Sequence, residues 1–349
     1  MPTIAAEELR SLTSRILVAS GADEENADRV AGALVLADLS GVSTHGVFHL
    51  ARYVEEVSDG EILPRAKPEI VSETPTSALV RGNWTYGFVS AMYALELALE
   101  KADKQGMAIV SLVEANHIGR LGEYAEVAAG RGMVSQVWAS GQGVETPTAV
   151  PYGGSRPVLH TNPIAIGVPS GEETPMIVDY ATTVVSGSKV LMAHGENKKI
   201  QPGWIVDSEG RETTDPGLLA DGSGSHLPFG GHKGYAIMLA DEFLGRVLSG
   251  ADAYAETERG GPILRHQGVT FIVFKADLFQ PMADFGRVSD ALHRQVRGVP
   301  PAPGFEEVMV PGDLEARARS ERGRNGIPLT DVVWKSLTDL AAELGVEVD

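Results

Sequence analysis

The sequence predicts an α/β core inserted between N- and C-terminal helical segments that pack together. Three observations carry this reading. Residues 4–58 show only helical periodicity, apolar runs of strand length alternate with amphipathic helices from Ser77 onward, and helical patterning returns over 330–344. The segments are taken as residues 1–75, 76–285 and 286–349.

In the first segment Gly21 closes one helix, Asp23 caps a second, and Ser43 or Thr44 caps a third. Pro64, Pro68 and Pro75 mark a linker. SALVRG at 77–82 is a short strand, and 87–105 is an amphipathic helix stopped by Gly106. MAIVSLVEA at 107–115 is an apolar strand, 120–131 a helix, and MVSQVWAS at 133–140 another strand. The stretch 147–222 is richer in short strands and turns, among them IAIGV, PMIVDYA and GWIVD. A long helix over 233–248 precedes the strand VTFIVF. The tail holds a helix near Val288, a strand EEVMV, a turn at Pro311-Gly312-Asp313 and a last helix over 330–344.

Composition narrows the function. A chain of 349 residues with 43% hydrophobic content can bury a sizeable core. Its net charge of −18 argues against nucleic acid or an anionic membrane as partner, since either requires a basic face. Any anionic substrate must meet a local positive pocket. The absence of cysteine removes disulfides, thiolate zinc sites and a catalytic thiol together. MPTIAAEELRSLTSRIL reads as an acidic amphipathic helix with no apolar signal core, and no run approaches the ~18–20 apolar residues of a membrane span. A soluble cytoplasmic protein is expected.

The densest cluster of candidate functional groups lies in ADLSGVSTHGVFHLAR, residues 37–52. His45 stands at the mouth of a predicted helix that carries His49 and Arg52 on one face, with Thr44 beside it. A helix N-terminus favours negative charge, so the pattern suits a small carboxylate and a histidine that moves a proton. The same residues also read as an N-cap and a solvated helix face. Further polar groups sit at strand ends: Asn116-His117-Ile118-Gly119, His160-Thr161-Asn162-Pro163, and Asp179-Tyr180-Ala181-Thr182-Thr183. Gly230-Gly231-His232-Lys233-Gly234 opens the long helix with a lysine beside free backbone N–H groups. The chain has no Rossmann glycine fingerprint, no P-loop and no G-x-S-x-G elbow. A dinucleotide, if bound, is bound on a different fold.

Taken in order, STHG, NHIG, TNPIAIGVP, VDYATT, GGHKGYA and GIPL resemble the type-2 malate/L-lactate dehydrogenase family, over about residues 8–344. Relatives in that family include ureidoglycolate, sulfolactate and diketogulonate oxidoreductases and imino-acid reductases. The resemblance implies a non-Rossmann NAD(P)-binding domain with a mainly antiparallel sheet, and a homodimer with its active site near the subunit interface. It implies that His45 donates and accepts the proton, with His117 a second active-site histidine. Thr44, where the family usually has serine, His49 and Arg52 then bind substrate. NAD or NADP is assigned to Ser140, to His160, Thr161 and Asn162, to Asp179, Tyr180, Ala181, Thr182 and Thr183, to Lys233 and Gly234, and to Pro311, Gly312 and Asp313. The chain departs from the family pattern in three places. His49 replaces an arginine, His160 replaces a glycine, and Ser140-Gly141-Gln142 is longer and more glycine-rich.

The resulting expectation is hydride transfer between nicotinamide and a small 2-hydroxy acid, or in reverse a 2-oxo or imino acid. Two alternatives stand beside it. One is a metal-dependent hydrolase built on His45 and His49, four residues apart on the predicted helix as in a zinc pair. The other is a non-catalytic binding protein for small molecules.

Overall fold

The structure is a computed structural model and describes residues 2–255 and 259–348. Its N-terminal part comprises β1 (Thr3–Ile4), α1 (Ala6–Ala19), α2 (Glu24–Leu39) and α3 (Leu50–Ser58). Asp23 caps α2 as expected, its carboxylate accepting the Asn26 N–H at 2.9 Å. The entry to α3 differs from expectation. Ser43–His45 and Val47–His49 are single 3₁₀ turns joined at Gly46, and neither Ser43 nor Thr44 caps a helix. The cause is Asp38 near the end of α2. Its carboxylate takes the Val47 N–H at 2.8 Å and lies against Gly46, where a Cβ would approach it to 2.2 Å. An N–H expected to face a substrate anion is thereby taken by the chain's own carboxylate.

The stretch expected as linker contains a strand, β2 (Glu69–Glu73), exposed along its length. β3 (Ser77–Arg81), α4 (Gly87–Gln105), β4 (Met107–Val113), α5 (Leu121–Gly130) and β5 (Met133–Ser140) follow the predicted alternation. Gly106, at φ 88°, ends α4 in the left-handed conformation that glycine tolerates best. After β6 (Pro163–Val168) and β7 (Met176–Ala181) come α6 (Gly187–Gly195), β8 (Ile205–Val206), β9 (Glu212–Thr213), α7 (Gly217–Ala220) and β10 (Ser225–His226). The predicted long helix is α8 (His232–Asp241), which runs on into a π-helical turn, Glu242–Val247. Then follow α9 (Gly261–Leu264), β11 (Gly268–Lys275), α10 (Met282–Arg297), α11 (Asp313–Asn325), β12 (Ile327–Pro328) and α12 (Asp331–Glu343).

Two tail elements correct the sequence reading. EEVMV at 306–310 forms no strand. The neighbouring Pro311 carbonyl accepts one bond from Ile177 N–H at 3.0 Å, so the run touches the sheet edge without a ladder. α11 was not foreseen because DLEARARSERGRN has no apolar face, and none of its residues is buried.

Among the described residues the main sheet has seven strands in the order β2-β3-β4-β11-β5-β6-β7. Every pairing is antiparallel except β3 with β4. β11, late in the chain, lies between β4 and β5, with Val269 opposite both Leu112 and Ala139. Small and apolar residues of α4 and α5, such as Ala94, Leu95, Ala98 and Ala125, pack on Val110, Val137 and Phe271 to form one core. A second core joins Leu9, Ile16, Leu34, Leu50 and Tyr53 to Ile327, Leu337 and Ala341. β1 pairs with β12 beside it. No described helix is long and apolar enough to cross a membrane.

Candidate active site

A cavity of about 930 Å³ opens where the 43–52 turn, the loop after β4, the end of β7 and the start of α6 meet. Thr44, His45, His49, Arg52 and His117 line it together. The loop carrying His117 is pinned by its neighbour. Asn116 Nδ2 donates to Trp84 O at 2.9 Å and Thr85 O at 3.0 Å. Gly87 permits the approach, since a Cβ there would lie 2.1 Å from Asn116 O and 2.3 Å from His117 O. The asparagine of the NHIG motif thus holds the histidine in place.

The three histidines form one cluster. His45 stacks on His117 with ring centroids 5.9 Å apart, His49 lies 5.4 Å from His117, and His45 is 6.5 Å from His49. His49 Nε2 donates to Thr44 O at 2.8 Å, which fixes the proton on that nitrogen because a carbonyl only accepts. Tyr53 OH meets His117 Nδ1 at 2.6 Å. The Thr44 hydroxyl lies 3.2 Å from His45 Nδ1. Burial pushes the His45 pKa down to about 4, helped by positive charge at His49 and Arg120. Burial likewise holds His117 well below the ordinary histidine range, with His45, His49 and Arg52 adding repulsion, and lowers His49. A second proton in this cluster is therefore disfavoured by the first.

The sequence did not reveal Arg120, only 4% exposed, which lies on the cavity wall where a helix start was expected. It is bound to Glu126 at 2.8 Å and lies 3.6 Å from Asp179. Burial raises the Asp179 pKa to about 6, against the opposing pull of Arg120 and the Gly122 N–H that it accepts at 2.8 Å. Tyr53 was also missed. It is a single aromatic on a helix face, and no motif marks it.

The fold disperses the expected cofactor residues. His160, Thr161, Asp179, Tyr180, Ala181 and Thr183 line the cavity. Ser140, Asn162 and Thr182 are buried behind it. Ser140 Oγ donates to Asp241 O at 2.9 Å and accepts from Arg246 N–H at 3.0 Å, serving the π-helical turn. Asn162 Nδ2 donates to Glu242 at 2.8 Å, and Thr182 Oγ1 donates to Asn162 O at 2.9 Å. Lys233 is exposed on α8. Gly234 lets α8 approach Phe229 O, which a Cβ would meet at 1.7 Å, and so places Phe229 on the cavity wall. Pro311, Gly312 and Asp313 lie outside the cavity of a single chain, where Asp313 binds Arg297 at 2.6 Å.

The hydrolase alternative loses its premise, because the break at Gly46 removes the helical turn that was to bring His45 and His49 together as a zinc pair. The comparisons agree. A family model described as malate/L-lactate dehydrogenase matches residues 4–338. The chain is 36% identical to a malate/(S)-sulfolactate dehydrogenase of Methanothermus fervidus, covering 99% of each chain. It is 32% identical to hydroxycarboxylate dehydrogenase B of Escherichia coli O157:H7, covering 98% of this chain and 94% of that one. The solved malate dehydrogenase of Entamoeba histolytica superposes with a TM-score of 0.92 at 28% identity over 99% of each chain. A Δ1-piperideine-2-carboxylate reductase of Pseudomonas syringae gives 0.86 at 28% identity, covering 98% of this chain and all of that one (100%). The chain belongs to the malate/L-lactate dehydrogenase family and is an oxidoreductase of 2-hydroxy acids.

Proposed function

We propose that the chain catalyses reversible hydride transfer between NAD or NADP and a small 2-hydroxy acid. In the reducing direction a 2-oxo or cyclic imino acid, one hydride and one proton give the hydroxy or amino acid. The observation that carries this reading is the three-histidine cluster beside Arg52 and Arg120 in one cavity. When bound, the dinucleotide supplies or receives the hydride. The wall fits such a group. The cavity volume suits a small-molecule site, Thr161, Asp179, Tyr180 and Ala181 line it, and the first turn of α6, capped by Ser186, brings the Ser188 hydroxyl and the Lys189 ammonium to the wall for a phosphate. Arg52 holds the substrate carboxylate, since its guanidinium is partly exposed although paired with Glu56 at 2.6 Å. His117, its Nδ1 engaged by Tyr53, presents a fixed Nε2–H to the reacting oxygen. His45 gives or takes the proton.

Mixing the protein with NADH or NADPH and a panel of 2-oxo acids, followed by absorbance, tests this reading. At least one pairing is expected to turn over, with monocarboxylates preferred to oxaloacetate, because neutral His49 stands where an arginine would hold a second charge. No oxidation of either cofactor with any substrate would sink the proposal.

The sign of the pH dependence follows from His45. Reduction needs its protonated form, so kcat/KM rises as pH falls from neutrality toward about 4. Oxidation needs the neutral form and declines only as pH falls through that value. A reduction rate that stays flat from about pH 8 to 5 would mean that His45 does not carry the proton.

We also propose a homodimer. Leu239, Phe243 and Val247 form an exposed apolar row along α8 and its π-helical turn, with Leu191 and Met192 exposed on α6. Lys233 stands on the same helix as this row. Light scattering should give twice the 37.0 kDa chain mass, and Phe243→Glu should lower it toward one chain.

A further inference from the structure

One part of the cavity wall carries polar groups that the reaction above does not use. Thr148 N–H donates to Leu159 O at 2.8 Å and His226 N–H donates to Thr148 O at 2.7 Å, so three short segments lie side by side. Gln142 joins them, because the next residue, Gly143, packs so closely that a Cβ would lie 2.7 Å from Leu159 C and 3.0 Å from His160 N. Gln142, Thr148, His160 and His226 all line the cavity. Three of them have a buried polar atom without a hydrogen-bond partner among the described residues: Gln142 Oε1, Thr148 Oγ1 and His226 Nδ1. Such atoms are uncommon in folded proteins, and three together on a cavity wall point to a ligand that pairs with them.

The network settles what each atom offers. Gln267 Nε2 donates to Ala115 O at 3.1 Å and Asn116 O at 3.0 Å, so its Oε1 is the end that faces Gln142. Gln142 therefore donates through Nε2, at 2.9 Å, and its Oε1 remains an acceptor only. The Thr148 hydroxyl can donate or accept. None of the four side chains is charged near neutral pH, since burial pushes His160 and His226 each down to about 4. Gln267 also ties this patch to the loop that carries His117.

We infer that this patch binds a neutral carboxamide-type group, whose N–H is accepted by Gln142 Oε1 and whose carbonyl is met by the Thr148 hydroxyl, with His226 Nδ1 as a third partner. The inference rests on the hydride-transfer reading. Such a group has two sources, the carboxamide of nicotinamide or an amide at the substrate's far end. A carboxylate or sulfonate tail finds no cation among these four side chains.

The experiment has two arms, each run on the wild type, on Gln142→Leu and on the milder Thr148→Val. The first compares kcat/KM for 2-oxo acids of one length that end in a carboxamide, a carboxylate or a branched alkyl group. The second titrates NADH or NADPH and its 3-acetylpyridine analogue by fluorescence, which needs no turnover. If the substrate supplies the amide, the wild type prefers the amide-tailed acid by on the order of tenfold or more, and the variants erase that preference. If nicotinamide supplies it, the wild type discriminates against the acetylpyridine analogue by a similar factor and the variants lose that instead. Absence of both preferences, or preferences untouched by both variants, overturns the inference. A protein that binds the dinucleotide through Gln142 yet reduces no 2-oxo acid fails only the proposed reaction. One that binds neither dinucleotide and reduces nothing overturns both.

Discussion

Replacing His45 by alanine is expected to lower kcat by about 10²–10⁴-fold while dinucleotide affinity stays nearly unchanged. Of the three cavity histidines, His45 and His117 are the candidates to move the proton of the proposed reaction, and their surroundings separate them. His117 Nδ1 lies 2.6 Å from the hydroxyl of Tyr53, whose burial keeps it protonated. No other partner is found for that hydroxyl among the described residues, so it donates to Nδ1 and leaves the His117 proton on Nε2. Adding a proton to His117 Nδ1 would force this bond to reverse and leave the buried Tyr53 O–H without an acceptor. His45 instead meets the Thr44 hydroxyl, which donates or accepts as required, so the ring can change protonation without losing its contact. Steady-state kinetics on His45→Ala and His117→Ala, with cofactor titration of both, separates the roles. A His45→Ala enzyme near wild type beside a dead His117→Ala would move the proton to His117.

Gly46→Ala is expected to lower kcat/KM by about 10²-fold or more and stability by about 1–3 kcal/mol. The added methyl would lie 2.2 Å from Asp38 Oδ2 and 2.3 Å from both Asp38 Cγ and Oδ1. Neither side can yield cheaply. Asp38 is 1% exposed and bonded to Val47 N–H, and Gly46 is buried between the two 3₁₀ turns. Relief must come from the turn itself, which carries His45 on one side and His49 on the other. Denaturant unfolding beside kinetics measures both effects. Adding Asp38→Ala should restore part of the stability lost to Gly46→Ala, and strictly additive losses would show that the two residues do not meet as described.

The layers of the fold were legible where apolar period and turn chemistry agree, as for α4 between β3 and β4. Their order in space was not. Nothing local to residues 268–275 says that they enter between β4 and β5, more than a hundred positions earlier, because strand pairing is a long-range choice. β2 was hidden by the prolines around it, and α11 by a surface too charged to show a face. In the cavity, His45 and His117 were legible because each sits in a short motif with its own backbone need, Gly46 against Asp38 and Asn116 against the carbonyls of Trp84 and Thr85. Arg120, Tyr53 and Asp38 were not, since each is an ordinary helix or loop residue until folding brings a partner to it. The helix mouth expected to receive an anion was the clearest misreading, and a carboxylate seven residues before His45 was its cause.

The shared core of α1, α2 and α3 with α12, sealed by the pairing of β1 with β12, sets an order of events during synthesis. Residues 4–62 leave the ribosome well before residues 327–344, and part of their apolar surface has no cover until those follow. The His45 turn is thus expected to mature late, after residues far beyond it in the chain have been made. A chain clipped before α12 is expected to keep its seven-stranded sheet while the turn that carries His45 loses part of its support. Loss of activity on proteolysis just before α12 should therefore precede loss of bulk secondary structure, as kinetics beside circular dichroism would show.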